Sequence, residues 1–178
     1  MAELADASVS KTDVRKDVRV RLPISAPRKY SRMPATIRPA TEADQVTIRR
    51  LIREANLNRM SLHWPNFVVA EEGGAIVGLG QVKPHRDGSR ELASIAVVPA
   101  RQGSGIGSAV ISALLAREPG PLHLTCQRGM GGYYERFGFR KLEPLEFPPY
   151  FRRLIPIANV FARLWRTEII VMRREVMS

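Results

Sequence analysis

The feature that most constrains this chain is a glycine-rich segment lying between an apolar, strand-like run and a helical run. Residues 97–108 read VVPARQGSGIGS, and the alanine- and leucine-rich run at 109–116 follows directly. Three glycines let an anion approach the backbone, and the first N–H groups of a helix attract negative charge. The spacing matches neither a Walker A loop nor a dinucleotide-binding fold. The segment by itself predicts a phosphate or pyrophosphate site, with a tight turn that holds no ligand as the alternative.

Hydrophobic periodicity along the chain predicts alternating helices and strands in a mixed α/β (α+β) domain. A helix over 42–55 is started by the capping pair Thr41 and Asp44, and a hairpin turns at Glu72-Gly73-Gly74. A second turn is predicted at Asp87-Gly88. The other predicted elements are strands at 91–98, 122–126 and 139–142, a helix at 109–116 and a helical turn at 133–136.

The two ends of the chain depart from this regular pattern. Residues 1–33 show neither helical nor strand periodicity and contain prolines, which predicts a disordered or loosely attached basic arm before a domain at 34–178. Near the other end, an inserted amphipathic helix is predicted at about 149–166, followed by a closing strand at about 168–173. Its expected apolar face consists of Leu154, Ile157, Ala158, Phe161 and Leu164 or Trp165. We expect this face to pack on the domain's own sheet, with a homodimer contact or a membrane surface as alternatives.

Composition narrows the classes of protein that the chain can represent. The net charge is +11, and the ends carry more of it per residue than the middle. Basic ends can bind nucleic acid, but we expect a solvated charged surface instead. The single cysteine, Cys126, excludes an internal disulfide and cysteine-rich metal sites, so no metal is expected. The apolar runs are too short to cross a bilayer, and the N-terminus lacks the apolar region of a secretion signal, which predicts a cytoplasmic protein.

Two motifs that follow one another along the chain carry a resemblance to a known family. The pattern Gln102-x-x-Gly105-x-Gly107 follows the strand-end sequence IAVVP at 95–99, and YYERFGF follows at 133–139. Together they resemble the acetyl-CoA signature and the Tyr-x-x-x-Gly-Phe element of the GNAT N-acetyltransferase superfamily, over residues 36–143. The resemblance implies a strongly twisted mixed sheet flanked by helices. It also implies that the strands at 91–98 and 122–126 splay apart to admit the cofactor.

The same resemblance assigns the residues that hold acetyl-CoA and donate a proton. The backbone of Ile95, Ala96 and Val97 would pair with the pantetheine arm, and one of these N–H groups would polarise the thioester carbonyl. The pyrophosphate would lie on Gln102, Gly103, Ser104, Gly105, Ile106, Gly107 and Ser108. Tyr134, four residues before the glycine of Gly-Phe, would be the general acid that protonates the leaving thiolate. The alternative is that Tyr133 and Tyr134 are a packing pair.

Glu91 is the candidate for the base that removes the amine proton. It opens the strand that leads to the cofactor, and a period of two places it on the same face as Ala93, Ile95 and Val97. Some family members have a glutamate at this position, whereas others use a chain of water molecules. The rival bases are His63, His85 and His123, none of which has a partner evident from spacing. Cys126 could reach a thioester, but inert burial is the expected fate of a lone cysteine.

These assignments predict an acetyl-CoA-dependent N-acetyltransferase. It would move acetyl to a primary amine of a small molecule or amino acid by direct attack in a ternary complex. The alternatives are a protein-amine acetyltransferase and a non-catalytic module of the same fold that binds CoA or associates with nucleic acid. The loop at 56–64, where Arg59 could hold a carboxylate, and the hairpin end at 83–86 are expected to form the acceptor side.

Overall fold

Seven strands form one mixed sheet in the order β1-β2-β3-β4-β5-β7-β6. This is a computed structural model, and it describes residues 35–164 and 167–175. The strands are β1 (Thr36–Pro39), β2 (Phe67–Glu72), β3 (Ala75–Pro84), β4 (Arg90–Val97), β5 (Leu122–Gln127), β6 (Phe139–Lys141) and β7 (Ile169–Arg174). Neighbouring strands are antiparallel except β4 and β5, which are parallel. The sheet confirms the predicted mixed α/β class. The arm predicted at 1–33 lies outside the described residues.

Four α-helices flank the sheet, namely α1 (Gln45–Glu54), α2 (Ile106–Arg117), α3 (Gly131–Glu135) and α4 (Pro149–Leu164). A 3₁₀ turn at Glu42–Asp44 leads into α1, and the Asp44 carboxylate accepts the backbone N–H and the hydroxyl of Thr41. Helix α2 begins three residues before its predicted start, because Gly105 ends the loop in the left-handed conformation. Within the described part of the chain, no helix has the length and apolar character that crossing a membrane requires.

The two faces of the sheet carry different helices. The larger core cluster joins α2 to Val68, Val82, Leu92, Leu122 and Leu124, and Tyr133 and Tyr134 of α3 pack against it. The second cluster packs α1 against Phe67, Val69 and Leu79, and the third packs α4 against Leu142 and Val171. Because side chains alternate between faces along a strand, these assignments place α2 and α3 on one face and α1 and α4 on the other.

The parallel strands β4 and β5 separate soon after they begin. Their only registered pair is Glu91 opposite His123, whereas β5 is paired with β7 along its whole length. Beyond Glu91, the edge of β4 that faces β5 therefore has backbone groups outside the ladder. The predicted splay is present, and it leaves a gap between the two strands beyond Glu91.

A β-bulge in β4 resets which side chains share a face. Leu79 of β3 lies opposite Ala96, but Gln81 lies opposite Ala93, so β4 has one extra residue between these pairs. Ser94 adopts a left-handed φ of 57°, and its hydroxyl accepts a hydrogen bond of 2.9 Å from the Gln81 amide. The extra, unpaired residue of a β-bulge bends the strand and increases its local twist.

Helix α4 packs with a face different from the one that the sequence predicted. Phe151, Ile155 and Ala162 are buried, whereas Ile157 is 61% exposed. The predicted stripe began at Leu154 and contained Ile157, so it was rotated away from the true contact with β7. No sequence pattern indicated that Phe151, directly after the connector, enters the core. The side chains of Phe161 and Leu164, and all of Trp165, lie outside the described residues.

Candidate active site

A cleft with a volume of about 620 Å³ borders the splayed end of β4. One wall is formed by residues 95–99 together with Gln102, and the other by Leu51 and residues 54–57 at the end of α1. The cleft thus includes the backbone stretch expected to pair with the pantetheine arm. Asn56 and Leu57 belong to the loop expected to form the acceptor side.

The glycine loop forms an open cradle before α2. Gly103 and Gly105 have positive φ values of 77° and 86°, and a Cβ built on either would meet no atom within 4 Å. No side chain caps the start of α2, so the first N–H groups of the helix, which have no acceptor within it, are available to an anion. These observations fit the pyrophosphate site predicted at residues 102–108.

Hydrogen bonds and an ion pair hold the loop in place. The Gln102 side-chain amide donates to the carbonyl of Val97 at 3.1 Å, and the Ser104 hydroxyl donates to the carbonyl of Arg101. Arg101 Nε lies 2.9 Å from a carboxylate oxygen of Glu72, whose side chain is almost fully buried at the end of β2. The loop is therefore tied both to β4 and to the hairpin. Nothing in the sequence pattern pointed to Glu72.

Tyr134 lies on the α2 face beside β5. Its ring packs edge-on against Tyr133 and Phe139, with centroid separations of 5.2 and 6.3 Å. Burial, together with the nearby Cys126 and Tyr133, raises the pKa of Tyr134 to about 12. The hydroxyl therefore keeps its proton at neutral pH, as a general acid must before it donates.

Tyr133 has a different set of contacts. Its hydroxyl lies 3.3 Å from the hydroxyl of Ser108 in the first turn of α2. The Arg136 guanidinium sits over its ring at 4.7 Å. A Cβ on Gly107 would lie 3.5 Å from this hydroxyl, an ordinary van der Waals distance. The contacts of Tyr133 tie α3 to the first turn of α2.

Glu91 is a buried carboxylate with partners on both oxygens. One oxygen accepts a hydrogen bond from the Thr125 hydroxyl at 3.1 Å. The other lies 3.1 Å from His85 Nε2. Lys83 lies opposite Glu91 in the β3–β4 register, and burial lowers the pKa of Lys83 although Glu91 acts in the other direction. The His85 contact could not be predicted from the sequence, because the β3–β4 turn brings the two residues together.

The predicted face of Glu91 was wrong. Leu92, Ile95 and Val97 contact the cluster under α2, whereas Ala96 packs in the cluster under α1. The bulge at Ser94 shifts the alternation, so Glu91 and Ala93 share their face with Ala96. Glu91 therefore lies on the α1 and α4 face, and Tyr134 lies on the other face of the gap.

The remaining candidates occupy less suitable environments. His63 is exposed in its loop, and Arg59 is exposed as well. His123 is buried, its ring lies 5.4 Å from that of Phe151, and burial lowers its pKa. Burial raises the pKa of the Cys126 thiol to about 11. A thiol with so high a pKa is mostly protonated at neutral pH and is a weak nucleophile.

The candidate site thus combines a splayed mixed sheet with a glycine loop at the uncapped start of α2. Residues 63–141, which contain the cradle, Glu91 and Tyr134, match the family described as acetyltransferase (GNAT) domain. The middle of the chain is thus similar to a GNAT acetyltransferase domain. The resemblance seen in the two sequence motifs is thereby confirmed.

Solved structures show the same fold at low sequence identity. N-acetylglutamate synthase from Neisseria gonorrhoeae, complexed with coenzyme A and N-acetyl-glutamate, has a TM-score of 0.64 at 20% identity. The match covers 83% of this chain and 36% of that one, so this chain spans about a third of the synthase. Rv2747 from Mycobacterium tuberculosis, in a complex containing CoA, has a TM-score of 0.61 at 18% identity over 80% of this chain and 99% of that one.

A third solved structure with the same fold has a protein acceptor in its name. Ribosomal-protein-alanine N-acetyltransferase from Brucella melitensis has a TM-score of 0.54 at 20% identity, covering 79% of this chain and 99% of that one. No curated protein matches the sequence. The neighbours therefore support the fold and leave the acceptor open.

Proposed function

We propose that this protein transfers acetyl from acetyl-CoA to the primary amine of a small molecule or amino acid, by direct attack in a ternary complex. The observation that carries the proposal is that Glu91 and Tyr134 lie on opposite faces of the sheet, with Glu91 at the paired end of the gap between β4 and β5. A thioester held in that gap would have a proton acceptor on one side and a proton donor on the other.

The cradle and the gap would position acetyl-CoA. Backbone N–H groups of residues 103–108 would bind the pyrophosphate, as the open space beside Gly103 and Gly105 allows. The free edge of β4 at residues 95–97 would pair with the amides of the pantetheine arm. An N–H of this edge would then donate to the thioester carbonyl and stabilise the oxyanion that develops during attack.

Proton transfers would complete the reaction. Glu91 would accept a proton from the bound ammonium group, either directly or through water, so that the neutral amine can attack. The C–S bond breaks as the tetrahedral centre collapses, and Tyr134 would donate its phenolic proton to the departing thiolate. The excess proton on the attacking nitrogen would pass through water to the Tyr134 phenolate, which restores the acid and leaves a neutral amide. Because the Cys126 thiol is buried and protonated, direct transfer is preferred to a route through an acetylated cysteine.

The acceptor can be identified by measuring thiol release from acetyl-CoA across a panel of amines. The panel contains L-glutamate, L-alanine, spermidine and a peptide with an N-terminal alanine. We expect saturable thiol release with a small amine or amino acid, and mass spectrometry should find the acetyl group on its nitrogen. Selective acetylation of the peptide would instead support the protein-amine alternative.

A matched variant separates catalysis from binding. Glu91→Gln keeps the size of the side chain and removes its basicity, so thiol release should fall at least about tenfold while acetyl-CoA binding is unchanged. Binding of acetyl-CoA without thiol release from any amine would support the non-catalytic module instead.

A further inference from the structure

His85 and helix α4 form a buried assembly around the carboxylate of Glu91. His85 follows the end of β3, and its side chain is only 9% exposed. Its Nε2 lies 3.1 Å from Glu91 Oε2, while the Thr125 hydroxyl donates to Oε1 at 3.1 Å. In the proposed role of base Glu91 is ionised, and an ionised carboxylate accepts and cannot donate, so His85 would donate to it from Nε2.

The start of α4 fixes the ring of His85. Tyr150 stacks on the imidazole with a centroid separation of 3.6 Å and an interplanar angle of 18°. Phe151, which is fully buried, meets the same imidazole edge-on at 5.7 Å. The helix is itself anchored to the β3–β4 turn, since the Tyr150 backbone N–H donates to Asp87 Oδ2 at 2.7 Å.

We propose that His85 is the positioning residue of the general base, and that α4 sets its place through Tyr150. This inference rests on the proposed role of Glu91. The His85 N–H and the Thr125 O–H each occupy one carboxylate oxygen and so fix the rotation of the carboxylate, leaving further lone pairs for the incoming ammonium group. The inserted helix α4 is thereby part of the catalytic apparatus as well as of the core.

The test compares two substitutions of His85, each of which keeps one property of the imidazole and removes the other. His85→Phe keeps a ring between Tyr150 and Phe151 but removes the N–H. His85→Gln removes the ring but keeps an N–H donor at similar reach. With acetyl-CoA and the amine of the panel that reacts fastest, we expect His85→Phe to lower kcat at least about tenfold with KM for acetyl-CoA unchanged. His85→Gln should recover a large part of that loss.

A double-mutant cycle distinguishes positioning from general damage to the fold. If His85 acts through Glu91, then His85→Phe should change kcat by less than about twofold in the Glu91→Gln background. A tenfold loss in that background as well would overturn the proposal, as would a His85→Phe enzyme with the parent's kcat. Failure of His85→Gln to recover activity beyond His85→Phe would also overturn it.

A second variant tests the role of α4 if His85→Phe does not fold. If His85→Phe does not fold, Tyr150→Leu removes the stacking partner while leaving His85 in place, and we expect kcat to fall with KM for acetyl-CoA unchanged. The parent's kcat in a folded Tyr150→Leu enzyme would exclude the role of α4.

If Glu91→Gln turns over like the parent, the proposed base itself is wrong and the inference falls with it. A slow Glu91→Gln enzyme beside a normal His85→Phe enzyme refutes the inference alone.

Discussion

At the scale of single residues, two adjacent tyrosines have different contacts and different proposed roles. Tyr133 and Tyr134 are adjacent in sequence, yet Tyr133 is bound to Ser108 and covered by Arg136, whereas Tyr134 lies against the core beside Cys126. The raised pKa of Tyr134, about 12, means that its proton is retained throughout the neutral and mildly alkaline range. As pH rises toward 12, the acid form is lost.

Replacing Tyr134 by Phe should therefore affect turnover and spare binding. The substitution removes only the hydroxyl and leaves the ring to pack, so we expect kcat to fall about a hundredfold while acetyl-CoA affinity is retained. Steady-state kinetics together with calorimetric titration of acetyl-CoA measure the two quantities. In the parent, the pH–rate profile should show no alkaline fall due to Tyr134 up to about pH 10.

Tyr133→Phe is the matched control for this prediction. It loses the contact with Ser108 but no proposed proton donor, so its kcat should stay within a few-fold of the parent's. Should Tyr133→Phe be crippled while Tyr134→Phe is normal, the acid is Tyr133. If neither variant is slowed, water protonates the thiolate.

The candidate residues on the glycine loop could be predicted from the sequence, but the residues that contact the candidates in the folded protein could not. The glycine loop and the two-tyrosine element are local patterns, so both could be found by reading along the chain. The contact of His85 with Glu91 depends on the β3–β4 turn, and that of Arg101 with Glu72 depends on how the hairpin meets the loop. Such pairs leave no periodic signal in the sequence, because each is created by tertiary packing.

At the scale of elements, the segment from β1 to α1 depends on one buried carboxylate. Asp44 accepts two hydrogen bonds from Arg38, at 2.7 and 3.1 Å, in addition to those from Thr41. The hydrogen bond from Arg38 is the largest cause that lowers the pKa of Asp44 to about 2 from its usual value of 3.8. A lowered pKa in the folded state stabilises the protein above about pH 4, and this stabilisation is lost as pH falls toward 2.

Asp44→Asn should remove this acid-dependent stabilisation. We expect the free energy of unfolding at neutral pH to fall by about 1–3 kcal/mol, because the hydrogen bonds from Arg38 lose their charged acceptor. The difference from the parent should shrink between about pH 4 and about pH 2, where Asp44 becomes protonated. Urea denaturation at several pH values measures it. A difference that stays constant over this range would show that the ion pair adds nothing to stability.

The glycine loop is the second element whose conformation can be tested. Gly105 has a φ of 86° with open space where a side chain would project. Gly105→Glu would strain the backbone and bring negative charge to the proposed pyrophosphate site, so the increase in Tm produced by acetyl-CoA should disappear. Gly88→Glu is a suitable control, since Gly88 also has a positive φ, 83°, and open space but lies in the β3–β4 turn. It should lose some stability and keep the ligand-induced increase.

The bulge in β4 shows the limit of reasoning from periodicity. The strand predicted at 91–98 is present as β4, Arg90–Val97. A single extra residue at Ser94 then reversed the faces of the residues beyond it. Serine has no special preference for a left-handed φ, so the sequence could not place the bulge, and Glu91 was assigned to the wrong side.

At the scale of the whole molecule, two glycines in β3 allow α2, which follows the glycine loop, to pack closely on the sheet. A Cβ on Gly78 would lie 2.5 Å from Ile106, the first residue of α2. A Cβ on Gly80 would lie 2.5 Å from Ile95 and 2.9 Å from Val110. Helix α2 therefore rests directly on the backbone of β3, and the position of its first turn depends on the absence of these two side chains.

Gly80→Ala should weaken both the fold and cofactor binding. The added methyl group must displace Val110 in α2 or Ile95 in β4, and such overpacking typically costs about 1–3 kcal/mol. Because the first turn of α2 and the edge of β4 would both hold acetyl-CoA, its Kd should rise several-fold at a temperature where the variant remains folded. Gly120→Ala is the control, since a Cβ there meets nothing within 4 Å, and it should match the parent in both measurements. A Gly80→Ala protein that is destabilised yet binds acetyl-CoA with the parent's Kd would show that the cradle is set by its own loop contacts, independently of how α2 packs on β3.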